Sequence, residues 1–320
     1  MTSVLPWHSS IWRRVCAQID TAKMPHGILI TGPTDSGKTE FISLLASYLL
    51  CDEAEKPCGY CKQCRLIAAS THPDMIFLSP RDSKQIKIEQ VRDLIYWATQ
   101  TPQQGGNKVC IINPADRLNA QSANALLKVL EEPPKNTIIC LASSQPARLL
   151  PTLRSRCQRI DLNLPEKKEA ITWMKGQADS SIDLELQLDI ADGMPLRALK
   201  SVDENYLKLR RDVAAQLVPI SNGSASPVQV AASLAREEAG RIFDLLYQFV
   251  SDSIALTLVD EQFIKNKDLG RTIAEYSNFS SVADRYNLLD HIVTSKAQVD
   301  GISNANNLML LEAVFFRIAY

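Results

Sequence analysis

The chain has no hydrophobic run long enough to cross a bilayer and no excess of charge of either sign. A membrane helix needs roughly 18 or more apolar residues in a row, and no stretch of the 320 residues approaches that length. No charged segment followed by an apolar one opens the sequence, so we expect a cytoplasmic protein. The formal net charge of −1 excludes the strongly basic footprint of a protein that binds nucleic acid by itself.

Cysteine is thinly spread outside one short segment. Half of the eight cysteines are scattered along the chain: Cys16, Cys110, Cys140 and Cys157. Most of these lie in apolar or strand-like surroundings, and a scatter of this kind suits reduced thiols better than a disulfide framework.

The other four cysteines have the spacing C-x6-C-x2-C-x2-C. They are Cys51, Cys58, Cys61 and Cys64. Four thiolates at this spacing are typical of structural zinc, and a complete set of protein ligands leaves no open position for catalysis. The alternative is a redox-active C-x-x-C pair, which would explain only two of the four.

A phosphate-binding loop is the clearest motif in the sequence. It follows the apolar residues 27–30, precedes a helical pattern, and matches G-x-x-x-x-G-K-[ST]. Its residues are Gly32, Pro33, Thr34, Asp35, Ser36, Gly37, Lys38 and Thr39. In such a loop the backbone amides bind phosphate oxygens, the lysine reaches the β- and γ-phosphates, and the threonine hydroxyl ligates Mg²⁺. The alternative is a glycine-rich turn that no longer binds nucleotide.

The acidic residues that complete a hydrolytic site are missing. In P-loop ATPases a second buried strand ends in a carboxylate that holds Mg²⁺. Here the candidate strand 109–112 is followed by Asn113 and Pro114, which supply neither negative charge nor a base. Asp116 comes further along, and we interpret it as a helix-capping residue before Leu118. The sequence therefore predicts little or no intrinsic ATPase activity.

Short apolar runs alternate with amphipathic segments through the first half of the chain. The pattern predicts strands at 28–31, 75–78, 109–112 and 138–142, and helices at 38–50, 88–99 and 121–131. This alternation indicates an α/β fold with a parallel sheet covered by helices. After Pro165 the strand patterns stop and helical periodicity takes over, with a break at 193–195 and a polar loop at 221–227.

An arginine-rich turn follows the last predicted strand, at Ser155, Arg156 and Cys157. An arginine at the edge of a nucleotide-binding domain can act in trans as an arginine finger, which is worth roughly 10³–10⁵ in rate at the neighbouring site. The alternative is an exposed charge that serves solubility alone.

Several segments occur in the order seen in bacterial DNA polymerase III clamp-loader subunits. They are the four-cysteine segment 51–64, THPD at 71–74, IEQVR at 88–92, NALLKVLEEPP at 124–134 and SRC at 155–157. Within that family the chain resembles the delta-prime subunits rather than the ATP-hydrolysing gamma/tau subunits. It is short, it has no tau-like extension, and it carries Asn113 and Pro114 where the motor subunit has an Asp-Glu pair.

The resemblance implies an AAA+ architecture in three parts. These are a RecA-like domain at 1–164 with a zinc insertion at 51–64, a small helical lid at 165–206, and an all-α collar at 207–320 that holds a hetero-pentameric ring together. The lid arginine that senses the γ-phosphate in relatives would fall at Leu196, with Arg197 one place late.

The same resemblance implies a role in DNA replication. The chain would be a stator that lends Arg156 to a neighbouring gamma/tau ATPase while the sliding β clamp is loaded onto primer-template DNA. Its partners would be gamma/tau and delta subunits, and its cofactors structural Zn²⁺ and ATP or ADP with Mg²⁺. Two other functions stay open: a gamma-like motor ATPase, and a zinc-dependent nucleic-acid-binding module.

Overall fold

Five short strands pair in parallel in the N-terminal half of the chain. They are β1 (Gly27–Thr31), β2 (Met75–Leu78), β3 (Lys108–Ile112), β4 (Thr137–Ser143) and β5 (Gln158–Asp161), in the sheet order β2-β3-β4-β1-β5. The computed structural model describes residues 3–21, 23–81, 83–104, 106–177, 183–300 and 306–320.

Helices make up the rest of the regular structure in these ranges. The helices that accompany the sheet are α1 (Ser9–Asp20), α2 (Lys38–Leu50), α3 (Lys62–Ala68), α4 (Ile88–Thr99), α5 (Ala120–Glu131) and α6 (Pro151–Arg154). Those that follow it are α7 (Lys167–Lys175), α8 (Leu184–Ile190), α9 (Pro195–Ser201), α10 (Glu204–Ser221), α11 (Pro227–Leu234), α12 (Ala239–Leu258), α13 (Gly270–Ser277), α14 (Val282–Asp300) and α15 (Asn307–Ala319). Single 3₁₀ turns lie at Pro6–His8, Ala115–Arg117, Pro146–Arg148, Glu261–Phe263 and Lys267–Leu269.

The central strands are buried on both faces, as expected for a parallel sheet. Every residue of β1 and β3 is buried. Successive side chains along β1 enter two different cores because a strand has a period of two: Ile28 and Ile30 pack in one with Phe41 of α2, while Leu29 packs in the other with Leu126 of α5. Both faces therefore need helices, and polar loops are confined to the strand ends.

The predicted parallel sheet covered by helices is confirmed, and so is the helical character of the second half. No described residue after Asp161 lies in a strand. The sequence patterns missed α1, α3 and β5. Strand β5 has only one buried residue, Ile160, so it offers too little hydrophobic alternation to be found by pattern.

Buried Lys108 joins the sheet to the end of α4. Its side chain lies 4.2 Å from the centre of the Trp97 ring, and its ammonium donates hydrogen bonds to the carbonyls of Trp97 and Gln100. Burial lowers the pKa of Lys108, and the charge of Asp74 opposes this. A cation placed against the last carbonyls of a helix is favourable, which accounts for a lysine at a strand start that is otherwise apolar.

The chain divides into two compact units, Met1–Glu169 and Ala170–Tyr320. In the second unit, residues of α8 and α9 such as Leu188 and Ala198 share one hydrophobic core with Phe243, Phe249 and Phe315 of the later helices. The buried Gln248 amide also donates to the carbonyl of Ile190 at 2.9 Å. The finer division into a lid at 165–206 and a collar at 207–320 stays a prediction. Among the described helices, none combines the length and the apolar character that crossing a bilayer requires.

A ladder of alternating charges runs across the second unit. Arg197 of α9 pairs with Asp192 at 3.3 Å and with Asp244 of α12 at 3.9 Å. Lys265 pairs with the same Asp192, and Lys296 of α14 with the same Asp244. Isolated surface pairs contribute little to stability, but pairs that share partners form a network. We call this chain of five side chains the charge ladder.

The buried His8 is a titratable group whose environment disfavours its protonated form. Its side chain is 1% exposed, lies edge-on to the Phe41 ring with centroids 5.9 Å apart, and its Nε2 has no hydrogen-bond partner in the described structure. Burial lowers the pKa of His8 from 6.5 to about 4, although a hydrogen bond with the Asn163 backbone and the charge of Glu40 oppose the shift.

We expect the free energy of unfolding to fall as the pH drops from about 6.5 to about 4. In this window the unfolded chain takes up a proton on His8 that the folded chain refuses, so acid favours unfolding, and below the folded pKa the effect levels off. The limiting loss from this group is about 3 kcal/mol. Urea unfolding at pH 7.5 and pH 5 measures it.

The matched variant is His8→Asn, which keeps a side-chain N–H and removes the titration. Because His72 and His291 also have lowered pKa values, the quantity to compare is the difference in pH slope between the original chain and the variant. Parallel slopes would contradict the assignment to His8.

Candidate functional site

The phosphate-binding loop connects the buried end of β1 to the start of α2. Gly37 has φ of +93°, a conformation that favours glycine. A Cβ on Gly32 would lie 2.7 Å from Ser36 Oγ and 3.0 Å from the Leu162 carbonyl, so glycine is required there by close approach. The predicted strand, loop and helix are therefore present in the order that the motif needs.

The residues of the loop fit a bound phosphate group. Ser36 is 2% exposed, and its hydroxyl has no hydrogen-bond partner in the described structure. Lys38 Nζ donates to the carbonyls of Gly32 at 2.9 Å and Pro33 at 2.6 Å. An unpartnered buried hydroxyl, a lysine held over the loop and the amino end of a 13-residue helix are a suitable donor set for phosphate oxygens.

The charge around Lys38 is mixed. Burial lowers the pKa of its ammonium, while the carboxylates of Asp35, Asp116 and Glu40 act in the opposite direction. A phosphate group would join carboxylates that already face this lysine, so its binding depends on the backbone amides of the loop as well as on the lysine.

Asn113 lies where a hydrolytic site needs a carboxylate. It follows β3, and its side-chain Nδ2 donates a hydrogen bond to Thr39 Oγ1 at 3.0 Å. The sequence indicated that a carboxylate was missing, but it gave no sign that the amide contacts the loop threonine. Asn113 thus joins the end of β3 to the first turn of α2 through a neutral contact.

The interpretation of Asp116 as a helix cap is wrong. The 3₁₀ turn that contains it begins after Pro114, and α5 is capped by Asn119, whose side chain accepts from the Ser122 amide. Asp116 Oδ1 instead accepts from Ser143 Oγ at 2.7 Å and from the Ser144 amide at 3.2 Å. The carboxylate holds the end of β4 because the adjacent strand brings two donors to it.

The four cysteines of the insertion form one cluster, which agrees with the predicted metal site. Their Sγ atoms lie within 4.8 Å of one another, with Cys51 and Cys61 at 4.0 Å and Cys58 and Cys64 at 3.9 Å. Tetrahedral zinc with Zn–S bonds of about 2.3 Å places sulfur atoms about 3.8 Å apart. The four thiols fit a metal ion such as zinc, and the separations are far too long for disulfides.

Backbone amides support the cluster. The Cys61 amide donates to Cys58 Sγ at 3.3 Å, and the Cys64 amide donates to Cys61 Sγ at 3.4 Å, where Cys61 caps α3. Burial raises the pKa of the Cys61 thiol, but the hydrogen bonds it accepts, led by the Cys64 amide, outweigh burial and bring the pKa to about 7. Amides that stabilise thiolate favour metal binding, since the thiolate is the ligand.

His72 connects the insertion to the sheet through hydrogen bonds and is not a metal ligand. It is 4% exposed, its Nδ1 accepts from the Asp74 amide, and its Nε2 donates to Gln63 Oε1, both at 3.0 Å. Gln63 in turn donates to Asp52 at 3.0 Å. Both ring nitrogens are used, so His72 links the cysteine segment to the start of β2.

Arg156 lies on the turn between α6 and β5. Its side chain is 36% exposed and pairs with Glu131 Oε1 at 2.5 Å, while Nη1 donates to the Thr152 carbonyl at 3.0 Å. The sequence did not identify Glu131 as its partner. An exposed guanidinium oriented by one carboxylate and one carbonyl is able to exchange these contacts for a phosphate group.

The equivalent of the lid sensor does not carry a free charge. Leu196 is 9% exposed, and Arg197 is held by Asp192 and Asp244 in the charge ladder. The arginine that the sequence placed one position late is therefore engaged inside the second unit.

Replacing either cysteine of one pair in the cluster should abolish stoichiometric metal binding. We expect Cys58→Ser and Cys64→Ser to lose bound zinc, measured by elemental analysis of the purified chain, and to unfold at lower temperature because structural zinc contributes folding free energy. Cys16→Ser, outside the cluster, should keep the metal. Full zinc content in both cluster variants would contradict a four-thiol site.

Comparison with known proteins assigns the chain to a family over nearly its whole length. A family model described as DNA polymerase III, delta subunit, matches residues 7–166. A second, described as DNA polymerase III, delta subunit, C terminal, matches residues 204–319. Among solved structures, a DNA polymerase III gamma subunit-related protein from Thermotoga maritima aligns with a TM-score of 0.46 at 17% identity, covering 96% of this chain and 97% of that one.

Three curated relatives that match over nearly their full length carry the same name. DNA polymerase III subunit delta' of Pseudomonas aeruginosa is 32% identical, over 100% of this chain and 98% of the relative. The protein of the same name from Haemophilus influenzae is 31% identical, over 98% and 97%, and that from Escherichia coli is 30% identical, over 98% and 95%. The predicted family is confirmed by these full-length matches: the chain belongs to the delta' subunits of DNA polymerase III.

Proposed function

We propose that this delta' subunit is the stator of the DNA polymerase III clamp loader. It binds nucleotide at its own loop without hydrolysing it, and it lends Arg156 to the ATP site of a neighbouring gamma/tau subunit. The observation that carries the proposal is the neutral Asn113 amide 3.0 Å from Thr39 Oγ1, because hydrolysis in this class of site needs a carboxylate there.

The distribution of charge supports different roles at the loop of this chain and at the neighbour's ATP site. The loop of this chain has Lys38 and a helix N-terminus to attract phosphates, but Asp116 is committed to the end of β4. Arg156, by contrast, is partly exposed on the surface of the first unit. A subunit with these features is suited to completing the ATP site of a neighbour rather than to hydrolysing ATP at its own loop.

The proposed partners follow from the family and from charge. The second unit, with the lid at 165–206 and the collar at 207–320, would pack with gamma/tau and delta subunits in a hetero-pentameric ring in the cytoplasm. The sliding β clamp and primer-template DNA would be reached through the complex, since a net charge of −1 gives the isolated chain little general attraction for DNA. The zinc would be structural.

Arg156→Ala should impair clamp loading by a reconstituted loader. We expect the ATP site served by Arg156 to slow by roughly 10³-fold or more, so that clamp- and DNA-stimulated ATP turnover falls by the share of that one site. Arg156→Lys should restore little, because lysine lacks the planar fork of donors.

The matched control is Arg154→Ala, which removes an exposed arginine from the same segment. Single-turnover measurements separate the affected site from the others in the ring. Unchanged turnover with Arg156→Ala in an assembled loader would remove the arginine-finger role.

The isolated chain should hydrolyse ATP far more slowly than about 1 s⁻¹, the lower end of the usual enzyme range. Phosphate release from purified protein measures this rate, with Lys38→Ala as the control for contaminating ATPases. A turnover of about 1 s⁻¹ or faster that disappears in Lys38→Ala would favour the motor ATPase instead.

A further inference from the structure

The end of β3 does not fit a magnesium ion. In a P-loop site the threonine hydroxyl ligates Mg²⁺ through its oxygen, and a carboxylate from the second strand holds the metal. Here Thr39 Oγ1 already accepts a hydrogen bond from Asn113 Nδ2 at 3.0 Å. A donor N–H aimed at the ligand oxygen competes with a cation, and the neutral amide brings no charge to replace the missing carboxylate.

The neighbouring carboxylates do not supply the missing metal ligand. Asp116 Oδ1 accepts from both Ser143 Oγ and the Ser144 amide, which directs it to the end of β4. Asp35 belongs to the loop itself, at φ of +60°, and Glu40 lies in the first turn of α2. Asp116 comes four positions after the end of β3, but its hydrogen bonds hold it to β4, and neither of the other two carboxylates follows this strand.

The phosphate-binding part of the site is nevertheless complete. Ser36 is 2% exposed with an unpartnered hydroxyl, Gly37 gives the loop its left-handed turn, and Lys38 begins a 13-residue helix. These groups bind phosphate oxygens through N–H and O–H donors and a single positive charge, none of which requires a metal.

We propose that this loop binds a nucleoside di- or triphosphate in its metal-free form, with the Asn113 amide taking the place of Mg²⁺ against Thr39. The inference rests on the proposed nucleotide binding and adds to it the ionic form of the ligand. Nucleotide without a bound metal lacks the cation that stabilises the charge of phosphoryl transfer. Such a site therefore binds nucleotide without hydrolysing it.

The test is the affinity of the full-length chain for ADP, measured by calorimetry in millimolar Mg²⁺ and again in EDTA. ADP is the probe because it complexes Mg²⁺ in solution less tightly than ATP. For the unaltered chain we expect ADP to bind no more tightly in Mg²⁺ than in EDTA, and more weakly only by the share of ADP that Mg²⁺ complexes in solution. Lys38→Ala should abolish binding in both conditions and so place the binding in the loop.

Three variants isolate the role of Asn113. Asn113→Asp supplies the missing charge and should make binding at least about tenfold tighter with Mg²⁺ than without it. Asn113→Ala removes the amide without adding charge and should show no tighter binding in Mg²⁺ than in EDTA, as for the unaltered chain. Asn222→Asp, whose carboxylate can still accept from the Ser224 amide, is the control for an added charge in the second unit.

The outcomes distinguish a failure of metal-free binding from a failure of nucleotide binding itself. ADP binding by the unaltered chain that is tighter in Mg²⁺ than in EDTA overturns the metal-free form and leaves nucleotide binding intact; loss of that tightening in Asp116→Asn would then assign the metal to that carboxylate. Absence of ADP binding in both conditions overturns the nucleotide site itself. An Asn113→Asp variant that folds, binds ADP and shows no response to Mg²⁺ also contradicts the role given to Asn113.

Discussion

Burial of the central strands on both faces is the constraint on which the nucleotide site depends. Since β1 and β3 offer no polar side to solvent, polar groups can only leave the sheet at strand ends, and parallel pairing brings the carboxyl ends to one edge. The loop after β1 and Asn113 after β3 meet there for this reason. Their hydrogen bond is a product of topology, because 74 positions separate Thr39 from Asn113 along the chain.

The molecule keeps charge away from the place where hydrolysis needs it and uses charge elsewhere for support. Lys108 fastens a helix end, Asp116 fastens a strand end, and His72 in its neutral form connects the cysteine segment to β2. Each of these groups is buried or half-buried and bonded. Asp116 acts at the edge of the sheet that carries the loop, whereas Lys108 and His72 act at the opposite edge, where β3 and β2 begin.

Sequence reasoning located the parts of the site that are encoded locally. The loop, the four cysteines and the neutral residue after β3 are all visible in runs of consecutive or closely spaced residues. The contacts that decide the chemistry are not local: Asn113 with Thr39, Asp116 with Ser143 and Arg156 with Glu131 each join separate elements. A pattern of single residues cannot show which donor a carboxylate will face, and for that reason the role given to Asp116 was wrong. Strand β5 escaped detection because Ile160 is the one apolar residue among its four, whereas β2, at the other edge, is apolar throughout.

The charge ladder bears on how this subunit could change over evolutionary time. Arg197 pairs with both Asp192 and Asp244, while Leu196, at the position predicted for a sensor, is buried. An arginine introduced at 196 would displace an apolar side chain and add a cation next to a ladder that already holds three cations and two carboxylates, a cost of several kcal/mol for an unpaired buried charge. A cation at 196 would therefore need a second substitution that supplies an acidic partner. That single change at this position is unfavourable on its own, whatever function it would serve.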